Sequence, residues 1–180
     1  MTAGEAPARR PPRPVTPAYL ERAAMAYLER YASSAENLRR VLRRKVHKRC
    51  RERGEDPAAF EAAIDEVVTK ARRTGLVDDA RYADARVATL RRRGGSTRAI
   101  RARLAAKGVD AETLATALQA GEGDEEAAAR ALARRRRLGP YRARDRAAFR
   151  DKDLAFLARA GFPFDVARRT IDGDPPDDET

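Results

Sequence analysis

Cysteine, histidine and tryptophan are almost missing from this sequence, which limits the chemistry that it can support. It contains one cysteine, Cys50, one histidine, His47, and no tryptophan. A single thiol cannot form an internal disulfide, and one cysteine with one histidine cannot complete the usual four-ligand zinc site. We therefore predict neither a structural disulfide nor a bound metal.

Aromatic residues and long apolar runs are also scarce. Aromatics make up 6 % of the residues, and much of the 42 % apolar share is alanine. Such side chains suit small helical bundles better than one deep core. No run approaches the ~18 apolar residues of a membrane span, and the N-terminus lacks the apolar core of a signal peptide. We expect a cytoplasmic protein that does not contact a membrane.

Basic residues are abundant. The chain carries 39 lysines and arginines against 28 acidic residues, which gives a formal net charge of +11. This balance suits a polyanion or an acidic protein surface as a partner, and the excess of arginine favours bidentate contacts with phosphate or carboxylate. The bases concentrate in three stretches, which are Arg39–Arg53, Arg91–Lys107 and Arg130–Arg146.

Apolar residues recur at helical spacing through most of the chain, and no segment alternates as a strand does, so we predict an all-α fold. Capping residues and glycines divide the pattern into helices. The clearest predicted starts are Thr16, Ser34, Asp56, Asp78 or Asp79, Ser96, Asp110 and Asp124. The predicted stops are Gly54, Gly75, Gly94–Gly95, Gly108, Gly121, Gly139–Pro140 and Gly161. The last two helices are expected to bury Phe149, Phe156, Leu157, Ala160, Phe164, Ala167 and Ile171.

The pattern repeats along the chain. A shift of 53 residues places Gly108 on Gly161, and a shift of 54 places Gly54 on Gly108. We predict three tandem three-helix repeats, which resemble helix-turn-helix units, stacked into an elongated, slightly curved array. The predicted boundaries are a basic, proline-rich disordered tail (1–15), repeat 1 with a lengthened second helix (16–75), repeat 2 (76–121), repeat 3 (122–172) and an acidic disordered tail (173–180).

Base-specific DNA reading is disfavoured by the helices that follow the glycine turns. A helix that reads bases needs basic or amide side chains. The helix after Gly108 has no basic residue and carries Asp110, Glu112 and Gln119. The helix after Gly54 turns Glu61, Asp65 and Glu66 outward. An RNA-binding helical repeat is disfavoured too, because interleaved aromatics for base stacking are missing.

Enzyme chemistry also finds little support. The sequence has no phosphate-binding glycine loop and no pair of carboxylates flanked by apolar residues. His47 lies in a basic helix and is best interpreted as solvated or packed, Cys50 as a small core residue, and the Asp78–Asp79 pair as a helix cap. We expect no catalytic residue and no cofactor.

Four segments carry a family resemblance, and they are YLERYASSAENLRRVL from Tyr27, GLVDDARYADARVATLRRRGGSTRAIRARLAAKGV from Gly75, RRRRLGPYR from Arg134 and FLARAGF from Phe156. Together these segments resemble the family of RecX regulatory proteins. The resemblance implies three tandem three-helix repeats. It also implies binding to the RecA recombinase and to the groove of its filament on single-stranded DNA, with inhibition of RecA ATPase, strand exchange and coprotease activity. Such a protein would modulate recombination, DNA repair and the SOS response, and would itself bind DNA without a catalytic site.

Charge and register predict which residues contact DNA or the filament. We expect a monomer that binds RecA, its DNA filament, and single- and double-stranded DNA without sequence preference. The alternative is a free-standing nonspecific DNA-binding protein with no RecA partner. The lengthened helix Lys45–Arg53 departs from shorter relatives, so its role cannot be carried over. The predicted contact residues are Arg39, Arg43, Arg44, Lys48, Arg91, Arg92, Arg93, Arg98, Arg101, Lys107, Arg135, Arg136, Arg142 and Arg144.

Overall fold

A computed structural model describes residues 12–120 and 124–174, and within those ranges every regular element is helical. The all-α prediction is confirmed. Two 3₁₀ turns, Pro57–Phe60 and Gly139–Tyr141, accompany the α-helices. The α-helices are α1 (Pro17–Leu28), α2 (Ala35–Arg53), α3 (Glu61–Arg73), α4 (Asp79–Arg92), α5 (Thr97–Ala105), α6 (Ala111–Gln119), α7 (Asp124–Arg136), α8 (Arg146–Arg159) and α9 (Phe164–Asp172). None of these helices is both long enough and apolar enough to cross a membrane.

Side-chain caps start several helices where the sequence predicts them. The hydroxyls of Thr16, Ser34 and Ser96 each accept a hydrogen bond, at 3.2 Å, from the backbone N–H three residues further on. The carboxylate of Asp110 accepts from the Thr113 N–H at 2.8 Å. Each cap satisfies a donor that the first helical turn leaves unpaired. The starts of α1, α2, α5 and α6 are therefore encoded locally.

The glycine turns at repeat-equivalent positions share one geometry. Gly54, Gly108 and Gly161 have φ angles of +68°, +77° and +95°, the left-handed region that glycine enters without a Cβ penalty. In each turn the residue after the glycine donates its N–H to a carbonyl five residues earlier, at 3.0 to 3.2 Å. The residues that own those carbonyls, Cys50, Leu104 and Leu157, are buried. The repeat register therefore describes a real equivalence of turns.

The chain divides into two compact units, one ending at Asp78 and the other starting at Asp79. In the first unit, helices α1, α2 and α3 share an apolar core built around Leu20, Leu38, Leu42, Ile64 and Val68. Val15 belongs to the same core, and the guanidinium groups of Arg49 and Arg53 donate to the backbone carbonyls of Arg13 and Pro12. Arg13 and Val15 thus lie against folded structure, although they fall in the segment predicted as a disordered tail.

The second unit contains two apolar clusters. Helices α4, α5 and α6 enclose the cluster of Val87, Ile100, Leu104 and Leu114, and α7, α8 and α9 enclose a second one. The second cluster comprises Ala128, Ala129, Leu132, Ala133, Leu138, Leu154, Leu157, Phe162, Val166, Ala167 and Ile171. The Ser96 hydroxyl links the two halves, because it donates to the Ala160 carbonyl at 2.7 Å while it caps α5. The boundaries of the three predicted repeats stay a prediction.

Two expectations about the last helices need correction. Phe164, predicted to be buried, is 66 % exposed, and the neighbouring Phe162 takes the core position instead. In α8 the buried residues are Asp153, Leu154 and Leu157, whereas Phe149, Phe156 and Ala160 are half-buried. Periodicity missed Asp153 because a buried carboxylate depends on a distant partner. The predicted stop at Gly121 lies outside the described residues, and so do residues 175–180 of the predicted acidic tail 173–180.

Candidate nucleic-acid interface

The two arginines at the end of α4, Arg91 and Arg92, differ in burial. Arg91 is 6 % exposed, and its guanidinium forms an ion pair with Glu125 and donates to the Thr97 hydroxyl and the Gly95 carbonyl. The Glu125 carboxylate also accepts from the Thr97 N–H at the start of α5. Arg91 therefore joins α4, α5 and α7 inside the second unit. This structural role takes it out of the candidate surface that the sequence predicted.

Arg92 and Arg93, the next two residues in the chain, are exposed to solvent. They are brought against α7 by Gly94, whose φ is +78°. A Cβ at Gly94 would lie 2.8 Å from the backbone nitrogen of Leu132, so only glycine allows this close approach. The basic end of α4 is thereby placed beside the basic end of α7.

The result is a groove with a volume of about 510 Å³, which we call the arginine groove. Its neutral lining residues are Ala131 and the half-buried Tyr141. Among the described residues only one of the groove arginines makes an ion pair, Arg130 with Glu126 at 3.8 Å. The groove arginines are Arg92, Arg93, Arg130, Arg134 and Arg135.

Helix dipoles help the fold to tolerate this concentration of charge. Arg92 lies in the last turn of α4, and Arg134 and Arg135 lie in the last turn of α7. The partial negative charge at a helix C-terminus stabilises cations there, typically by about 0.3–1 kcal/mol each. Mutual repulsion between the guanidinium groups remains, and an anionic ligand would relieve it. The groove is therefore suited to phosphate, which arginine binds through two parallel hydrogen bonds.

Arg142 also has a structural role. Its Nε and Nη2 atoms donate to the two oxygens of Asp153, both at 2.8 Å, and the Gly139 N–H donates to the same carboxylate at 2.8 Å. Burial acts to raise the pKa of Asp153, but the hydrogen bonds from Arg142 and Gly139 outweigh it and lower that pKa below its usual value. Arg142, which also lies 4.2 Å from the Phe149 ring, fixes the turn between α7 and α8.

The remaining predicted residues of the second unit are exposed. Arg144 lies in the connector before α8, and Arg136, at the end of α7, stands 6.0 Å from the Phe156 ring. Arg98 and Arg101 extend from α5, and Lys107 follows that helix. Arg101 lines a separate depression with Arg91 and Glu125, outside the arginine groove. These residues enlarge the basic surface without entering the groove.

In the first unit, α2 carries the other predicted contacts, and acids neutralise its N-terminal half. Arg39 pairs with Glu36 at 2.6 Å and with Asp65 at 2.7 Å, and Arg43 pairs with Glu61 at 2.7 Å. These hydrogen-bonded carboxylates raise the pKa of both arginines. Arg44 and Lys48 lie further along α2 and are exposed.

Sequence reasoning missed several residues that the structure adds to the basic surfaces. Arg130 and Arg134 line the arginine groove, and Arg40, His47 and Arg51 line a depression on α2. Helical spacing was the available signal, because Arg130 and Arg134 are four residues apart and share a face of α7. In residues 12–120 and 124–174, no group of three or more acidic, histidine or cysteine side chains could hold a metal ion.

The described residues thus form an all-α protein whose helices group in threes and whose surface carries a groove lined by guanidinium groups. Residues 78–118 match the family model described as RecX, second three-helix domain. The chain is 44 % identical to the regulatory protein RecX of Myxococcus xanthus over 91 % of this chain and 90 % of that protein. It is 36 % identical to the regulatory protein RecX of Stenotrophomonas maltophilia (strain R551-3), with 94 % and 93 % covered. The chain belongs to the RecX family. No solved structure matches it.

Proposed function

We propose that this protein binds RecA and the filament that RecA forms on single-stranded DNA, and that it inhibits RecA ATPase, strand exchange and coprotease activity. Membership of the RecX family supports the regulatory part of this proposal. The observation that carries the nucleic-acid part is the arginine groove, where Arg92, Arg93, Arg134 and Arg135 have no ion-pair partner among the described residues.

Binding through this groove would be electrostatic and independent of sequence. Guanidinium groups that contact phosphates displace counterions, so affinity falls steeply as salt is raised. We propose that the protein also binds single- and double-stranded DNA in this way, acts as a cytoplasmic monomer, and regulates without catalysing a reaction. Recombination, DNA repair and the SOS response would be modulated as a consequence.

The direct test is ATP hydrolysis by RecA on single-stranded DNA with substoichiometric amounts of this protein. We expect inhibition by the unmodified chain and a loss of potency when Arg92, Arg93, Arg134 and Arg135 are all changed to Ala. A matched control replaces four exposed arginines outside the groove, Arg22, Arg72, Arg159 and Arg168, which removes the same net charge.

Two outcomes would contradict the proposal. Absence of inhibition, or inhibition only when the protein coats all the DNA, would favour the alternative of a free-standing nonspecific DNA-binding protein. Equal potency of the groove variant and the unmodified chain would show that the groove is not the contact surface.

A further inference from the structure

The C-terminal half of α2 presents a second basic stripe, in the first compact unit. Arg44, Lys48 and Arg51 are exposed and are spaced four and three residues apart, so they lie on one face of the helix. At ~1.5 Å of rise per residue, the stripe extends over about 10 Å. None of the three side chains makes an ion pair with any residue in the described ranges.

The stripe contrasts with the N-terminal half of the same helix. There Glu36 pairs with Arg39 and with Arg40, and Glu61 pairs with Arg43. Those arginines already have carboxylate ligands within the fold, so binding an anion would require them to exchange one partner for another. Arg44, Lys48 and Arg51 face no such competition from described residues.

The stripe borders a depression with a volume of about 770 Å³, whose other residues include His47, Glu55 and Pro57. Glu55 is the acid in this lining, and its carboxylate pairs with Arg53. The acid is thus compensated within the fold, and the unpaired charge that remains in the depression is positive. This combination of concave shape and uncompensated cations fits a chain of phosphates.

The helix that carries the stripe is firmly held. Leu38, Leu42, Val46 and Cys50 anchor its apolar face in the core of the first unit. Arg49 and Arg53 attach its C-terminal half to the backbone of the segment before α1, at 2.9 and 2.8 Å. The C-terminal half of α2 therefore presents the stripe from a fixed support within the first unit.

We infer that the stripe is a second phosphodiester-binding site, occupied independently of the arginine groove, so that one chain binds two short nucleic-acid segments. The inference rests on the proposed function in that both sites take the same ligand chemistry. It goes further by assigning one site to each compact unit. Linking two sites in one chain raises the affinity for a longer strand that reaches both, by ~10²–10⁴-fold in favourable geometry.

The test is the stoichiometry of a short single-stranded oligonucleotide, about six nucleotides long, at the lower end of site sizes for nonspecific binders. Titration calorimetry and native mass spectrometry at low salt should give two oligonucleotides per chain. The stripe variant Arg44→Ala/Lys48→Ala/Arg51→Ala should bind one. The groove variant Arg92→Ala/Arg93→Ala/Arg134→Ala/Arg135→Ala should also bind one, and the combined variant none.

One oligonucleotide per unmodified chain, or two per stripe variant, would overturn the inference. The count is made per chain, because a dimer with one site per chain would also bind two oligonucleotides per particle, and sedimentation of the free protein gives the number of chains in each particle. Thermal unfolding confirms that each variant is folded, and Arg44→Gln/Lys48→Gln/Arg51→Gln offers a second version with good helix formers. The titration contains no RecA, so its result can be compared with that of the ATPase assay. If the chain binds two oligonucleotides but does not inhibit RecA, only the proposed function is wrong. If the chain inhibits RecA but binds one oligonucleotide, only this inference is wrong.

Discussion

Two neighbouring arginines of the second unit lie in opposite environments. Arg91 lies in the buried junction of α4, α5 and α7, and Arg92 lines the arginine groove. At the junction, Arg91 is buried, paired with Glu125 and bonded to Thr97. In the groove, Arg92 and Arg93 face solvent beside the arginines of α7. The residue type is the same, and what differs is whether the side chain is buried against a carboxylate or exposed to solvent.

The count of basic residues therefore overstates the positive charge that is available to a partner. Arg91 and Arg142 are held by Glu125 and Asp153, and Arg39 and Arg43 by acids of the first unit. Four arginines without an ion-pair partner among the described residues, Arg92, Arg93, Arg134 and Arg135, lie together where the C-termini of α4 and α7 meet. Four variants test this division between structural and available arginines, beginning with the one expected to change the protein most.

Arg91→Ala should destabilise the second unit by about 3 kcal/mol, because it leaves the Glu125 carboxylate without its charged partner. The value is at the lower end of the usual range, since the Glu125 side chain keeps 22 % exposure. Denaturant unfolding measures the loss. Arg92→Ala, one residue away and exposed, is the control and should change stability by less than ~0.5 kcal/mol. If both substitutions lowered the unfolding free energy equally, the distinction between a structural Arg91 and an available Arg92 would be wrong.

The groove variant Arg92→Ala/Arg93→Ala/Arg134→Ala/Arg135→Ala should weaken DNA binding at about 0.1 M salt by on the order of 100-fold. The slope of log K against log salt should fall by up to about 3 for single-stranded DNA, close to 0.7 for each lost phosphate contact. Fluorescence anisotropy over a range of salt concentrations measures both quantities. The stability of the variant should not fall. An unchanged slope would show that the phosphate contacts lie on another part of the surface.

Gly94→Ala should destabilise the protein by about 1–2 kcal/mol through the left-handed backbone alone, with a further cost from the clash with Leu132. Gly54→Ala is the matched control, because Gly54 has a similar φ and nothing within 4 Å of its missing Cβ. Thermal unfolding compares the two. We expect Gly94→Ala to lose more thermal stability than Gly54→Ala and also to bind DNA more weakly. Both differences would reflect the close approach of α4 and α7. Identical behaviour would mean that this approach does not shape the groove.

Asp153→Asn should make stability less dependent on pH in acid. The folded-state pKa of Asp153 lies below its ordinary value of 3.8, so its ionised form stabilises the fold above that pH and loses this contribution as the pH falls through the folded-state pKa. The difference in unfolding free energy between wild type and variant should therefore shrink as the pH falls below about 4. For Asp151→Asn, whose side chain is 93 % exposed, the difference should stay nearly constant.

Much of the fold could be predicted because its signals are local. Ser96 caps α5 and Gly108 ends the following turn as expected, and both depend on residues within five positions in the chain. The partner of Arg91 could not be predicted in the same way, because Glu125 is 34 residues away and only packing brings it there. The burial of Asp153 was missed for the same reason, since Arg142 reaches it from across a turn.

The helical character of this chain, most of its helix boundaries and its surplus of arginine follow directly from the sequence. These properties depend on periodicity, capping and composition, which act over a few residues. The availability of each arginine to a partner follows instead from the packing of the helices. Whether a guanidinium contacts a carboxylate or water depends on helices that are distant in sequence. The packing of α7 against α4 buries Arg91 beside Glu125 and brings Arg92 next to the arginines of α7 in the groove.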